Sequence, residues 1–296
     1  MTITNFVERV AFRTTLSILR GLDPARASNL GAAVAGRLGP PLPVSRVAER
    51  NLSLAFPALG TQAKREVVHT MWESLGRTVA ELPHLASLTN TASGPGWEAV
   101  GVEILREQAA RGGPAIFFSG HIGNWEMLPP ILTRLGIQMA SFYRALANAR
   151  VDLAVNGLRR KAVGADVPMF PKGARGARGA LAHLARGGYL GMLVDQKMND
   201  GIPVEFFGRT AMTAPALAAM ALRFRCPVIP GRIRRLGPAR LRLEVEPPLT
   251  LPDSGDRQQD IAVLMRMVNA TLERWITDEP GAWLWLHRRW PKTDAA

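Results

Sequence analysis

The sequence predicts an α/β protein, a layered α/β/α sandwich with a mixed, largely parallel sheet, preceded by an N-terminal helical lobe. Three observations carry that reading. Beyond residue 96, short apolar runs of strand length alternate with segments of helical periodicity, the pattern of a layered domain. Before residue 95 only helical patterns occur. The chain has 296 residues at 47% hydrophobic content, enough to bury a sizeable core, which excludes disordered, collagen-like and coiled-coil classes. Small residues at 90–96, Asn-Thr-Ala-Ser-Gly-Pro-Gly, mark the division. Residues 1–95 are therefore read as the helical lobe and 96–296 as the α/β core.

Taken in order, Ile3, Phe6, Val7, Val10, Ala11 and Ile18 recur at helical spacing, with Arg9, Arg13 and Arg20 on a different face. This segment suits a basic amphipathic helix on a membrane surface, or equally a helix packed on its own domain. No run of about 20 apolar residues is present to span a bilayer, and Glu8, Arg9 and Arg13 interrupt any secretory apolar stretch. Asp23 before Pro24 starts a second helix. Prolines at 40, 41 and 43 break it, and helices follow over 44–55 and 61–86. Strands are expected at 115–119, 138–143, 167–170, 189–194, 228–234 and 241–245. Helices are expected at 124–136, 149–163, 173–186, 213–224 and 260–277.

Charge narrows the partners. There are 37 basic and 24 acidic residues, a formal net charge of +13, so anionic company is expected. Nine Arg or Lys stand against two Asp between residues 144 and 186, and seven Arg against no acid between 223 and 242. Arg232, Arg234 and Arg242 share parity on predicted strands, which puts each strand's arginines on one face. The stripe is either an anion-binding surface or a solvated face. No aromatic–basic RNA motif or helix-turn-helix signature stands out, so nucleic acid is not expected. The lone Cys226 excludes a disulfide framework and a Cys-based zinc site, and five scattered histidines make a metal site unexpected. Cys226 before Pro227 reads as a small core residue, and the four Trp beyond residue 274 as packing.

The strongest local signal is Phe117-Phe118-Ser119-Gly120-His121-Ile122-Gly123-Asn124-Trp125-Glu126. An apolar strand runs into Ser-Gly, a histidine follows, and a helix begins. Ligands of open α/β sheets bind at the carboxyl ends of strands, so His121 belongs at the mouth of the crevice. On a continuous helix Glu126 would lie about 500° around from His121. The two can meet only if His121 sits in the turn before the helix, which Gly120 and Gly123 permit. Glu126 then either orients the imidazole of a catalytic base or serves only the helix dipole. No G-x-S-x-G elbow, H-E-x-x-H or P-loop is present. With no evident nucleophile, His121 would activate a hydroxyl of the substrate, implying direct transfer without a covalent intermediate.

Gly120-His121 with Glu126 five residues on resembles the H-x4-D/E motif of glycerolipid acyltransferases. The fuller block, Ser119 to Glu126, resembles the lauroyl/myristoyl acyltransferases of lipid A biosynthesis. Further blocks follow in order: Tyr143-Arg144 with Ala145 where a Pro is common, Arg159 with Gly164, Asp195-Gln196 at a strand end, Phe206-Phe207-Gly208, and Trp283-Leu-Trp-Leu-His287-Arg-Arg-Trp290. The likeness runs from about residue 5 to 292. The N-terminal segment is less apolar than the spanning anchor of many members. Mycobacterial phosphatidylinositol mannoside acyltransferases resemble this pattern too, so another phospho- or glycolipid acceptor stays open, and the alternative class is a non-catalytic basic membrane-binding module.

The resemblance implies transfer of a fatty acyl chain from a thioester, carried on acyl carrier protein or coenzyme A, to a hydroxyl of a phosphorylated glycolipid, a lipid A precursor. It implies His121 and Glu126 as the catalytic pair, and Tyr143, Arg144, Arg159, Asp195 and Gln196 in substrate binding, with Arg159 or a backbone N–H near Gly120 facing the oxyanion. No cofactor or metal is expected. Acidic acyl carrier protein and an anionic membrane surface are the expected partners. The expected place is the cytoplasmic face of the bacterial inner membrane, peripheral or N-terminally anchored.

Overall fold

The computed structural model describes residues 14–143, 145 and 148–291. Most of the amphipathic segment at the N-terminus, and Arg144, lie outside the described residues. Residues 14–21 are helical and lead to α1 (Pro24–Leu38). Asp23 caps α1, its side chain accepting from the Arg26 N–H, with Pro24 in the first turn. Then come α2 (Ser45–Ala55) and α3 (Thr61–Glu81), the last continuing as a 3-10 turn to His84.

The sheet begins at β1 (Gly96–Val100), followed by α4 (Val102–Arg111) and β2 (Ala115–Ser119). A 3-10 turn at Trp125–Met127 leads into α5 (Leu128–Arg134) and β3 (Met139–Tyr143). The chain continues through α6 (Ala149–Val163), β4 (Met169–Pro171), α7 (Ala174–Ala185) and β5 (Tyr189–Leu193). A separate antiparallel hairpin, β6 (Lys197–Phe206) and β7 (Arg209–Thr213), turns on Phe207 and Gly208, both at positive φ as a tight hairpin turn requires. Next are α8 (Ala216–Phe224), β8 (Val228–Gly237), β9 (Arg240–Val245) and α9 (Arg257–Asp278).

Seven strands form one sheet in the order β1-β9-β8-β2-β5-β3-β4. All neighbours are parallel except β8 and β9, so the sheet is mixed and largely parallel. Side-chain alternation along β2 divides the core: Ile116 and Phe118 belong to one buried cluster, Ala115 and Phe117 to another. The first cluster takes α2, α3, α7, α8 and α9; the second takes α4, α5 and α6. Helices on both faces make the three-layered α/β/α sandwich that the sequence predicts. β2 is the central strand, flanked by β8 and β5, and all its residues are buried. That explains its unbroken apolar run.

The helices before residue 96 do not stand apart. Ala48, Leu52, Val68 and Met71 share the cluster of Phe118 and Trp275. Buried Glu81 accepts from Ser28 Oγ at 2.6 Å, Asn124 Nδ2 at 2.6 Å and the Ala239 N–H at 3.1 Å, and pairs with Arg235. One carboxylate thus joins α1, α3, the segment after His121 and the turn between β8 and β9.

The strand arginines turn out to be scaffold. Arg232 Nε donates to Glu244 at 2.8 Å, Arg234 Nε to Glu279 at 2.6 Å and Arg242 Nε to Glu98 at 2.6 Å. Carboxylates from neighbouring elements neutralise the stripe. Among the described residues no helix is long and apolar enough to cross a membrane.

Candidate active site

Two neighbouring strand ends build the site. β2 and β5 are parallel, with Ser119 opposite Leu193, and the Val194 N–H bonds the Ser119 carbonyl at 3.0 Å. Two residues past that pair lie His121 on one strand and Asp195 on the other, so the register itself sets them side by side. Asp195 Oδ1 lies 2.9 Å from His121 Nδ1, and Oδ2 accepts the His121 backbone N–H at 2.9 Å. Oδ2 also accepts from Trp283 Nε1 at 2.7 Å. Asp195 is fully buried. Burial alone would raise its carboxyl, yet the charge of His121 and the hydrogen bonds from His121 and Trp283 hold it well below the usual carboxylate range.

The turn carrying His121 is fixed by the C-terminal segment. Ile122 bridges Trp283, the Leu284 N–H donates to the His121 carbonyl at 3.0 Å, and the Gly123 N–H to the Ala282 carbonyl at 3.0 Å. Gly123 has φ +58°, and a Cβ there would come 2.0 Å from the Ile233 carbonyl oxygen. Only glycine fits. The next residue, Asn124, is held by Glu81, so this part of the motif is structural.

The carboxylate partner differs from the one spacing suggested. Glu126 does sit after the turn, in the short 3-10 helix, but both its oxygens are taken by Arg159: Nε to Oε2 at 2.7 Å and a terminal nitrogen to Oε1 at 2.6 Å. Asp195, expected only among the substrate-binding groups, holds the His121 ring instead. The missing signal was the register between β2 and β5, which places residues 121 and 195 level; local spacing looks along one segment only.

Arg159 lines the cavity and is held there by its ion pair with Glu126. Its third donating nitrogen reaches Asn156 Oδ1 at 3.3 Å, and the bond to Glu126 raises the guanidinium above its ordinary value. These three bonds use three of its five N–H groups and tie the guanidinium to Glu126 and Asn156. Arg159 lies on α6, whose C-cap is Gly164 at φ +68°. The Arg-x4-Gly spacing is thereby a helix turn plus a cap. Gln196 Nε2 lies 3.4 Å from His121 Nε2 and 3.1 Å from His287 Nε2, and its Oε1 accepts from Lys172 Nζ at 3.3 Å. Trp125 and His287 each set their rings 5.1 Å from that of His121. Sequence reasoning assigned no site role to Trp283, Lys172 or His287.

A cavity of about 550 Å³ opens beside His121, within the range of ligand pockets. Tyr143, Glu126 and Arg159 line it near the histidine, and Leu128, Met139 and Leu243 are among its apolar walls. Ser119 also faces it, while Cys226 is buried in the core with its thiol pushed up to about 11 by burial. Among the described residues no cluster of His, Cys, Asp and Glu is arranged to hold a metal ion.

The arrangement offers a histidine, backed by a buried carboxylate, in the wall of a largely apolar cavity. No curated protein matches the sequence. The family model of bacterial lipid A biosynthesis acyltransferases matches residues 11–292, nearly the whole chain. The chain therefore belongs to the bacterial lipid A biosynthesis acyltransferases, and it is an acyltransferase.

Proposed function

We propose that the protein moves a fatty acyl chain directly from a thioester, on acyl carrier protein or coenzyme A, to a hydroxyl of a phosphorylated lipid A precursor. The observation that carries this is the largely apolar cavity that His121 lines. A fatty chain buried along it would bring its thioester carbonyl to the histidine. Each buried methylene contributes about 0.8 kcal/mol to holding it there.

His121 is the general base. Its Nδ1–H donates to Asp195, which leaves Nε2 unprotonated and turned toward Gln196. Nε2 takes the proton of the acceptor hydroxyl as the oxygen attacks the carbonyl carbon. The C–O bond forms, the C–S bond breaks, and the imidazolium returns the proton to the leaving thiolate. Asp195 fixes the tautomer and stabilises the imidazolium, the division of labour of a base and its orienting acid. Glu126 acts as a positioning residue through Arg159, where the ion pair stiffens the cavity wall. Gln196 and Lys172 supply donors near the reacting oxygen, and Tyr143 lines the path of the substrate.

Attachment to the cytoplasmic face of the inner membrane fits an exposed row on α1. Leu30, Val34 and Leu38 recur every four residues and are 41, 49 and 64% exposed, with Arg37 beside them.

The test is reconstitution. Purified protein, an acyl-carrier thioester and the lipid A precursor should yield a lipid heavier by one acyl chain in mass spectrometry. His121→Ala should lower the rate by roughly 10²–10⁴-fold while remaining folded. Activity of that variant within a few-fold of wild type, or an acyl group trapped covalently on Ser119, would overturn the mechanism.

A further inference from the structure

Between α2 and the C-terminal segment lies a second cleft, of about 410 Å³. Its lining includes Arg46 and Arg50 from α2 and Arg288 from the segment after the sheet, together with Asn51. The cleft is firmly built. Asn51 Nδ2 donates to the Trp285 carbonyl at 2.8 Å and to the His287 carbonyl at 2.5 Å, and Arg50 donates to the Pro291 carbonyl. It is also next to the chemistry. Arg288 follows His287, whose ring is 5.1 Å from that of His121.

Among the described residues no carboxylate pairs with the arginines of this cleft. Arg159, Arg232, Arg234, Arg235, Arg240, Arg242 and Arg274 are all ion-paired with carboxylates. Arg46, Arg50 and Arg288 make no salt bridge among the described residues, and Arg50 Nε is buried with no hydrogen-bond partner. Glu49 sits on the same helix and pairs with none of them. Arg46 and Arg50 are one turn apart, a spacing at which like charges repel. Three arginines lining one cleft, with no paired carboxylate among the described residues, repel one another, and an anion with several oxygens relieves this. A phosphoryl group matches the planar fork of arginine donors.

We infer that the Arg46–Arg50–Arg288 cleft holds a phosphoryl group of the acceptor lipid while its hydroxyl meets His121. This rests on the acyl-transfer reading only for the identity of the molecule that carries the phosphate. The acyl chain enters His121 from the apolar cavity, so the acceptor has to approach from another side. Arg288 of the cleft is one residue beyond His287, whose ring meets that of His121. An acidic protein is the competing occupant, which a rise in KM for the acyl donor alone would reveal.

Binding can be read without turnover. The His121→Ala protein is titrated in detergent micelles with the lipid A precursor, as purified and after phosphatase treatment. The expected result is a tenfold or greater preference for the phosphorylated lipid. Adding Arg46→Gln and Arg288→Gln should abolish that preference. Adding Arg106→Gln and Arg111→Gln, exposed on α4, removes the same net charge and should leave it intact. A preference that survives the cleft pair, or is lost equally with the α4 pair, overturns the proposal. In the active enzyme the cleft pair should raise KM for the phosphorylated acceptor and spare KM for the acyl donor. A rise confined to the donor would put the donor's own phosphate or its acidic carrier there and overturn it. If no acyl transfer is found but the cleft pair still erases the binding preference, the function reading fails and the anion site stands.

Discussion

At the scale of single residues, the site turns on which carboxylate serves His121. Asp195 touches both the ring and the backbone N–H of His121, whereas Glu126 reaches the cavity wall through Arg159. Asp195→Asn presents an amide N–H where Nδ1–H needs an acceptor and favours the wrong tautomer. It should lower kcat on the order of 10²–10⁴-fold, and Glu126→Gln should cost less. The reverse ranking in single-turnover kinetics would return the orienting role to Glu126. Because the folded Asp195 carboxyl is depressed, it contributes stability that is present above its unfolded value of about 3.9 and is lost as pH falls below it. Wild type should therefore destabilise more steeply than Asp195→Asn from about pH 4 downward in urea melts. Equal slopes would show that Asp195 is not depressed. Arg159→Lys keeps charge but gives up the two-pronged contact with Glu126. A tenfold or larger fall in kcat/KM is expected, set against no change for Arg257→Lys. Equal effects would remove Arg159 from the site.

Elements were more legible than their meeting points. β2 and α6 fall at the expected residues because one is an uninterrupted apolar run and the other has an Asn148 cap and a Gly164 stop. β1 was missed inside what reads as the end of a linker, since Gly96-Trp-Glu-Ala-Val is short and its edge position demands no apolar alternation. α4 went unseen behind Gly112-Gly113, and the β6–β7 hairpin because Lys197 to Gly201 is largely polar. The candidate histidine was legible from a strand running into Ser-Gly-His. Its carboxylate partner was not, because that contact depends on a parallel register between strands 74 residues apart. The turn after the histidine gives a direct check. Gly123→Ala places a methyl against the Ile233 carbonyl at a positive φ, a strain of about 1–3 kcal/mol. It should lower both Tm and activity, and an unchanged melting curve would refute the packing described for that turn.

For the whole molecule, ion pairs neutralise β8, β9 and α9, whereas the arginine cleft lacks such pairs among the described residues and α1 carries an exposed apolar row. If α1 meets the membrane, attachment combines apolar burial with attraction to anionic lipid, and only the second weakens with salt. Two substitutions separate these contributions. Changing Leu30 and Leu38 to Ser should release protein from vesicles at high salt while sparing turnover of a detergent-dispersed acceptor. Unchanged vesicle binding would move the contact elsewhere.

The C-terminal segment has a consequence in time. His121 and Asp195 are both made well before Trp283, yet Trp283 and its neighbours supply the contacts that hold the histidine turn and the carboxylate beside it. Arg289 extends the closure: it is buried, drawn down to about 10 by burial, and anchors the hairpin by bonds to the Met212 carbonyl at 3.0 Å and Thr213 Oγ1 at 2.8 Å. Domains form progressively during synthesis, so a growing chain can assemble its sheet and still lack a working histidine. Until residues 282–290 have left the ribosome, the bridge from Trp283 to Ile122 and its hydrogen bond to Asp195 cannot form, and a chain stopped short of them would lack the contacts that hold the histidine turn.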